Sequence, residues 1–197
     1  MGGLLRGGVF VIDHLLSRSN RIVTISPDPD CLLRLQLRQA SHTVRLGTEI
    51  IRQGDPVLAL HVNNERIPRL PAGGANLEWA LGLRRQMVYS FEIVARVMQS
   101  DPQYAHVRAI YGASAILSFS DHTGGLRLIQ RLGFTVLPYH RPAGRFGEFW
   151  ENLFSWWLMW AYNPLSLQSR QFWHLQRTEI WMTAADFIRR YGEPATP

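Results

Sequence analysis

The stretch PVLALHVNNERIPRLPAGGANLEWAL, residues 56–81, decides the predicted fold. Its apolar run, residues 57–60, contains no turn residue, which favours a buried central strand. A polar turn and a Gly-rich segment follow, and Asn76 then offers a cap for a long amphipathic helix. Sites in folds that combine strands and helices are common where a core strand ends, so this stretch predicts a binding site.

Three polar residues stand at the end of the predicted strand: His61, Asn63 and Glu65. Alternate side chains of an extended chain share one side, so we expect the three groups to converge. They are candidates for a base and for groups that orient a substrate. The alternative is that they satisfy backbone hydrogen bonds in a turn. No metal site is expected, because His61 and Glu65 lack a third ligand at a recognisable spacing.

The composition predicts one domain over residues 1–197, with a formal net charge of +6 and no Lys. A basic chain fits an anionic partner, although a bias toward Arg would give the same charge. The Arg residues are scattered, so nucleic-acid binding is not expected. Cys31 is the single cysteine, which excludes an intramolecular disulfide and fits the cytoplasm. No signal peptide and no membrane-spanning segment are predicted, which leaves a peripheral position at the inner membrane face open.

The chain beyond this stretch reads as alternating strands and helices. Residues 76–100 form the long helix, which should end before Pro102. Residues 31–46 contain two strands that make an antiparallel meander with the strand at 57–62. The other predicted elements are a helix at 4–18, a strand from 106, a helix at 125–132, a strand at 134–138, an aromatic helix at 146–162, a strand within 171–182 and a final helix from Thr183 to a Gly192 cap.

This order of elements resembles the core of the GNAT acyltransferase superfamily over residues 4–138. In that superfamily the central strand leads to a pyrophosphate loop of pattern Q/R-x-x-G-x-G/A at a helix N-terminus. The matching residues here run from Arg69 to Gly74, with Ala72 in the position of the first Gly. The resemblance implies acyl-CoA as cosubstrate, with its diphosphate held by Arg66, Arg69, Gly73 and Gly74. The alternative is a flexible connector whose glycines supply positive φ.

The same resemblance assigns roles to the polar residues. Glu65 and His61 are the predicted catalytic residues, because a base at this strand end deprotonates the acceptor amine, and burial would tune Glu65 toward neutral pH. Asn63 and Asn64 are the predicted substrate-binding residues. Residues 128–134 resemble the pattern L-Y-x-x-L-G-F, and Ile129 stands where the general-acid Tyr often lies.

A second resemblance covers nearly the whole chain. The features that carry it are His61-Val-Asn-Asn-Glu65, Arg131-Leu-Gly-Phe134, Glu151-Asn152, Asn163-Pro164, Glu179-Ile-Trp181 and Arg190-Tyr-Gly192. Together they are similar to the YkoP-like family of bacterial proteins. In that family the domain occurs alone or beside enzymes of polysaccharide deacetylase type. The resemblance therefore implies a cell-envelope context.

The predicted fold class is α+β, with a GNAT-like mixed, mostly antiparallel sheet flanked by helices and a Trp-rich helical C-terminal extension at 139–197. The extension contains Trp150, Trp156, Trp157 and Trp160. We expect these residues in the core or in a contact with a second copy or an envelope-biosynthesis enzyme; a membrane interface is the alternative. Two functions are expected from the sequence. One is an acyltransferase or degenerate acyl-CoA binder of envelope carbohydrate or lipid metabolism, and the other is a non-catalytic accessory module for a deacetylase-type enzyme, a glycan or a membrane surface.

Overall fold

The computed structural model describes residues 22–63, 65–69, 71, 76–114, 124–140 and 178–192. Within these residues the fold is α+β, with a mostly antiparallel sheet and few helices. The elements are β1 (Val23–Thr24), β2 (Leu33–Gln39), β3 (Val44–Leu46), β4 (Glu49–Ile51), β5 (Pro56–Val62), α1 (Leu77–Ser100), a 3₁₀ turn (Pro102–Tyr104), β6 (Ala109–Ser114), α2 (Gly124–Arg131), β7 (Thr135–Pro138), β8 (Thr178–Thr183) and α3 (Ala184–Tyr191).

The described strands form a six-stranded sheet in the order β1-β2-β5-β6-β8-β7 and a separate hairpin of β3 and β4. Within the larger sheet β5 and β6 are parallel, and the other neighbouring pairs are antiparallel. The parallel pair lies at the centre of the sheet. Leu58 and Ile110, which face each other across it, are both 0% exposed. Continuous apolar burial is typical of a central strand, so the prediction for residues 57–60 is confirmed.

One face of the sheet packs against α1, α2 and α3. Phe91 of α1 lies at its centre, with its ring centroid 5.3 Å from that of Phe134, 5.7 Å from Phe187 and 5.0 Å from Tyr191. These rings are buried together with apolar side chains of the sheet, including Leu35, Leu58 and Ile180. Burial of this apolar surface is the main source of stability on this side, which we call the helix side.

The opposite face of the sheet carries the β3–β4 hairpin. Val44, Leu46 and Ile51 turn inward from the hairpin and pack in a second cluster with Val57 and Trp181. Gly47 has a φ of 60°, a conformation that glycine adopts easily, and it closes the hairpin between its two strands. We call this face the hairpin side.

The hairpin corrects the predicted meander. The second predicted strand was expected to lie between the first strand and the central one. Instead β2 pairs directly with β5 over seven residue pairs, and β3 pairs with β4. The residues between β2 and β5 fold back over the sheet as a hairpin, and this arrangement buries their alternate apolar side chains against it. The short edge strand β1 was not predicted.

The helix ends follow from local chemistry. Asn76 caps α1, because its side-chain oxygen accepts a hydrogen bond from the Trp79 N–H at 2.8 Å. The helix ends at Ser100, as predicted. Gly133 has a φ of 92° and ends α2, so the sequence Leu132-Gly133-Phe134 is here a helix-to-strand turn. Gly192 caps α3 with an ordinary φ of −76°.

Several predictions fall on residues that the structure does not describe. They are the helix at 4–18, the aromatic helix at 146–162 with its four Trp, and the first part of the strand predicted within 171–182. In the described part of the chain, no helix combines the length and the apolar character needed to cross a membrane.

Candidate functional site

The candidate site begins where β5 ends. The strand stops at Val62, and the chain then enters a turn in which the Arg66 N–H donates to the Asn63 carbonyl at 3.0 Å. The Asn63 N–H donates to the carbonyl of Leu32 at 2.7 Å, and the Leu32 N–H donates to the Ser90 hydroxyl at 2.8 Å. The end of β5 is therefore fixed through the loop before β2 to helix α1.

The turn changes the expected arrangement of the polar residues. The prediction assumed an extended chain from His61 to Glu65, and the strand alternation that would bring them together ends at Val62. His61 and Asn63 are partly buried, whereas Glu65 is exposed on the turn. Glu65 therefore lacks the burial that its predicted role as a base at neutral pH invoked.

His61 lies on the hairpin side of the sheet. It is the cross-strand partner of Arg34, and its Nε2 is 3.0 Å from the Gln36 Oε1. Because an amide oxygen only accepts, Nε2 is the donor in this contact. The imidazole is thus held in one orientation at the end of the central strand.

Arg66 contacts the backbone of a neighbouring loop. Its Nη1 donates to the carbonyl oxygens of Ser26, Asp28 and Cys31 at 3.1, 2.6 and 3.0 Å. This guanidinium nitrogen therefore holds the loop at 26–31 against the turn after β5. Two of the predicted cofactor ligands, Arg66 and Arg69, lie in the described residues. Arg66 is partly buried, whereas Arg69 is exposed.

A cleft lies between the loop that follows the turn and the first turns of α1. The indole Nε1–H of Trp79 donates to the Pro68 carbonyl at 3.1 Å and fixes the loop to the helix. The cleft has a volume of about 590 Å³, within the range of ligand pockets. Its lining residues are Pro68, Pro71, Asn76, Glu78, Trp79, Gly82, Leu83, Arg85 and Gln86.

A polar network borders the cleft on the next turns of α1. The Gln86 side-chain N–H donates to an Asp30 carboxylate oxygen at 2.8 Å, and the Tyr89 hydroxyl donates to an Asp28 carboxylate oxygen at 2.6 Å. The Tyr89 hydroxyl is the main reason that the pKa of Asp28 lies below its usual range; the Asp30 N–H and the Arg66 charge lower it further, while burial opposes them. The same hydrogen bond raises the pKa of Tyr89.

The predicted site residues thus have different outcomes. Arg66 and Asn63 take part in one hydrogen-bond network at the end of β5. His61 lies on the hairpin side of the sheet. Asn64, Gly73 and Gly74 lie outside the described residues. Ile129 is 7% exposed and packs in the helix-side core, away from solvent. The hydrogen bond from Tyr89 to Asp28 was not predicted. The sequence pattern in that part of α1 consisted of apolar residues at helical spacing, which predicts a helix but no polar contact.

A family model of the YkoP domain matches residues 5–191. The chain belongs to the YkoP domain family. The match covers nearly the whole chain, so the predicted resemblance to YkoP-like proteins is confirmed and extends over the strand end, the cleft and the final helix. Neither a curated protein nor a solved structure matches the chain of this YkoP protein.

Proposed function

We propose that this YkoP protein binds acyl-CoA at the end of β5 and in the cleft beside α1, in the manner of a GNAT-like acyltransferase. One observation carries the proposal. The parallel strands pair only over Val57–Ala59 and Ala109–Tyr111, yet β5 continues to Val62 and β6 to Ser114. A parallel pair whose ends part at the centre of a sheet is the place where the acyl-CoA of that superfamily enters.

The order of the sheet supports the same proposal. β5 leads through a loop and a long helix into its parallel neighbour β6, and β8 then lies between β6 and β7. This is the arrangement expected for a GNAT-like core, in which the last strand inserts beside the central pair.

The diphosphate would lie at the N-terminus of α1. The first turn of a 24-residue helix presents backbone N–H groups and the positive end of the helix dipole. Arg69 is exposed on the loop, and Arg85 is one of the residues that line the cleft. Glu78 lines the same cleft and would repel a bound phosphate, so the diphosphate is expected nearer to an Arg side chain than to Glu78.

The cleft supplies an apolar wall for the rest of the ligand. The ring of Trp79 and the Pro68, Pro71 and Leu83 side chains form that wall, and the hydrogen bond from Trp79 to Pro68 keeps it in place. A short acyl chain and the methylene groups of a pantetheine arm have the apolar character that this lining favours.

Acyl transfer would proceed by attack of an acceptor amine on the thioester carbonyl. The amine proton passes to a base, and the coenzyme A thiolate leaves with a proton. His61 is the favoured base among the predicted catalytic residues, because it is held by Gln36 beside the end of β5, whereas Glu65 is exposed on the turn.

A non-catalytic function is the second candidate, and the position of Ile129 favours it. The residue that corresponds to the general-acid Tyr is apolar and buried in the helix-side core. The chain would then be an accessory module that binds acyl-CoA, a glycan or an envelope enzyme without turnover. Leu77 and Leu81, one turn apart on α1 and 75% and 46% exposed, would offer a contact for such a partner.

The direct experiment is a thermal-shift titration with acetyl-CoA, longer acyl-CoAs, free coenzyme A and ADP. At one hundred times Kd, ligand binding adds about 2.7 kcal/mol to the free energy of unfolding. For a domain of this size that corresponds to a rise in Tm of roughly 5–10 °C. No rise with millimolar acyl-CoA, or an equal rise with ADP alone, would contradict acyl-CoA binding.

Three variants locate the ligand. Arg69→Ala is expected to weaken binding about tenfold through loss of a phosphate contact, and Glu78→Gln to strengthen it through loss of repulsion. Arg45→Ala removes an equally exposed charge from the hairpin and serves as the control for net charge. Release of free thiol from acetyl-CoA in the presence of an amino sugar then separates transfer from binding: binding without thiol release supports the accessory module.

A further inference from the structure

The hairpin side of the sheet contains a buried carboxylate that the proposed function does not use. Glu179 of β8 is 1% exposed, although its neighbours Ile180, Trp181 and Met182 make this an apolar strand. Both carboxylate oxygens are held. Oε1 accepts the backbone N–H of His140 at 3.0 Å, and Oε2 accepts the indole N–H of Trp181 at 2.8 Å. A buried carboxylate held in this way has a fixed position and orientation.

The imidazole of His42 lies against this carboxylate. Its Nε2 is 3.4 Å from the Glu179 Oε2. The ring stacks on that of His140, with centroids 4.3 Å apart, and meets the Trp181 ring edge-on at 5.9 Å. The His42 ring is therefore confined by side chains from two separate segments, β8 and the residues after β7, while 23% of its side chain is exposed.

A hydroxyl completes the series. The Ser41 Oγ is 3.1 Å from the Nδ1 of His42. Because the Glu179 carboxylate can only accept, it favours the tautomer with the proton on Nε2, and Nδ1 is then free to accept the Ser41 hydroxyl proton. Ser41 and His42 are both partly exposed, in contrast to Glu179.

We propose that Ser41 is a nucleophile toward small esters, with His42 as its base and Glu179 as the positioning residue. A carboxylate, an imidazole and a hydroxyl in this order make up the relay of serine hydrolases, in which the buried acid orients the imidazole and stabilises its protonated form. The ionisable side chains of the described residues that contact His42 are Glu179 and His140. The positive charge that develops on His42 thus faces a carboxylate.

The proposed reaction is ester hydrolysis, and its only reactants are the ester and water. The Ser41 Oγ attacks the ester carbonyl carbon, and its proton passes to the Nδ1 of His42. The bond from carbonyl carbon to alkoxy oxygen breaks, and the alcohol leaves with that proton. Water then attacks the acyl-serine with His42 again as base, which releases the carboxylic acid and restores Ser41. This site does not depend on acyl-CoA binding.

The test is labelling of the full chain with a fluorophosphonate probe, without coenzyme A, followed by mass spectrometry of the labelled peptide. We expect one label on Ser41 of the wild-type protein and its loss in Ser41→Ala. His42→Gln is expected to slow labelling about 100-fold, the usual contribution of a general base. Ser100→Ala, which alters an exposed hydroxyl at the end of α1, is the control that should leave the labelling rate unchanged.

Two further results separate a relay from a structural cluster. Glu179→Asp, which keeps a carboxylate, should recover part of the labelling rate that Glu179→Gln loses. Glu179→Gln should slow labelling at temperatures well below its own Tm, where the variant is folded. Absence of a label on Ser41 in folded wild-type protein, or an equal labelling rate in His42→Gln, would overturn the proposal.

Discussion

The two faces of the sheet are stabilised by different kinds of interaction. On the helix side, aromatic and aliphatic side chains from α1, α2 and α3 pack around Phe91 with apolar partners. On the hairpin side, a buried carboxylate contacts an indole N–H, a backbone N–H and the imidazole of His42, on which the His140 ring stacks. The helix side therefore contributes mainly apolar burial to stability, whereas the hairpin side holds a buried carboxylate that depends on hydrogen-bonding partners.

The largest expected effect belongs to the helix side. Phe91→Ala removes a ring that is 2% exposed and contacts three other aromatic rings. The lost burial and the cavity should lower the free energy of unfolding by about 3–5 kcal/mol. Urea unfolding measures this change. Glu92→Ala, at the next and exposed position of α1, is the control; an equal loss in both variants would mean that the ring has no special part in the core.

The corresponding change on the hairpin side is Glu179→Gln. It keeps the size of the side chain but offers N–H groups where Trp181 and His140 already donate. One buried donor is then left unpaired, which should cost about 1–3 kcal/mol. The comparison of the two faces predicts that this loss is smaller than that of Phe91→Ala. Glu92→Gln makes the same chemical change at an exposed position and should leave the urea midpoint unchanged. If both variants have similar midpoints, the buried hydrogen bonds of Glu179 do not contribute to stability.

A third variant tests the end of α1 that borders both the helix side and the cleft. Asn76→Ala removes the oxygen that accepts the Trp79 N–H. The loss of this N-cap should destabilise the protein by about 1 kcal/mol in thermal unfolding. Asn76→Asp keeps the acceptor and serves as the matched control. If both variants unfold at the wild-type temperature, the cap does not contribute to stability.

The smallest effect concerns the pKa of Asp28. Tyr89→Phe removes the hydroxyl that does most to lower this pKa, so the pKa should rise toward the ordinary aspartate range. A lowered pKa in the folded state gives stability that is present above the ordinary pKa of about 3.9 and is lost as pH falls through the lowered one. The wild-type protein should therefore lose more stability than Tyr89→Phe as pH falls below about 4.

NMR titration of the Asp28 side-chain carboxyl measures the shift directly. The carboxyl chemical shift of Asp101, which lies at the other end of α1, is the internal control and should be the same in both proteins at a fixed pH. An unchanged Asp28 midpoint in Tyr89→Phe would show that the hydroxyl does not bind the carboxylate in solution.

The sequence predicts the helix side better than the hairpin side, for a physical reason. Helix α1 and the central strand β5 carry apolar residues at regular spacing, and local rules determine their ends at Asn76 and Ser100. The hairpin side depends on contacts between residues far apart in the chain, such as His42 with Glu179. No local pattern specifies such a contact. The position of Glu179 in an apolar strand was the available signal that a buried charge needed partners.

The candidate site shows the same limit. The strand end and the helix start at either side of it could be predicted, because residues 57–60 and Asn76 have clear local preferences. The turn after Val62 could not, because it is held by the Leu32 carbonyl and by Arg66, whose guanidinium reaches residues 26–31. These non-local hydrogen bonds ended the strand before Glu65 and placed it in solvent.

The proposed function places acyl-CoA at the end of β5 and beside the start of α1. Hydrogen exchange, measured by mass spectrometry with and without saturating acetyl-CoA, tests it most directly, because bound ligand slows the local opening that exchange requires. The claim predicts slower exchange in peptides that cover residues 60–82, with little change in the β3–β4 hairpin. Unchanged exchange at 60–82 under conditions where acetyl-CoA raises Tm, or protection confined to the hairpin side, would contradict it.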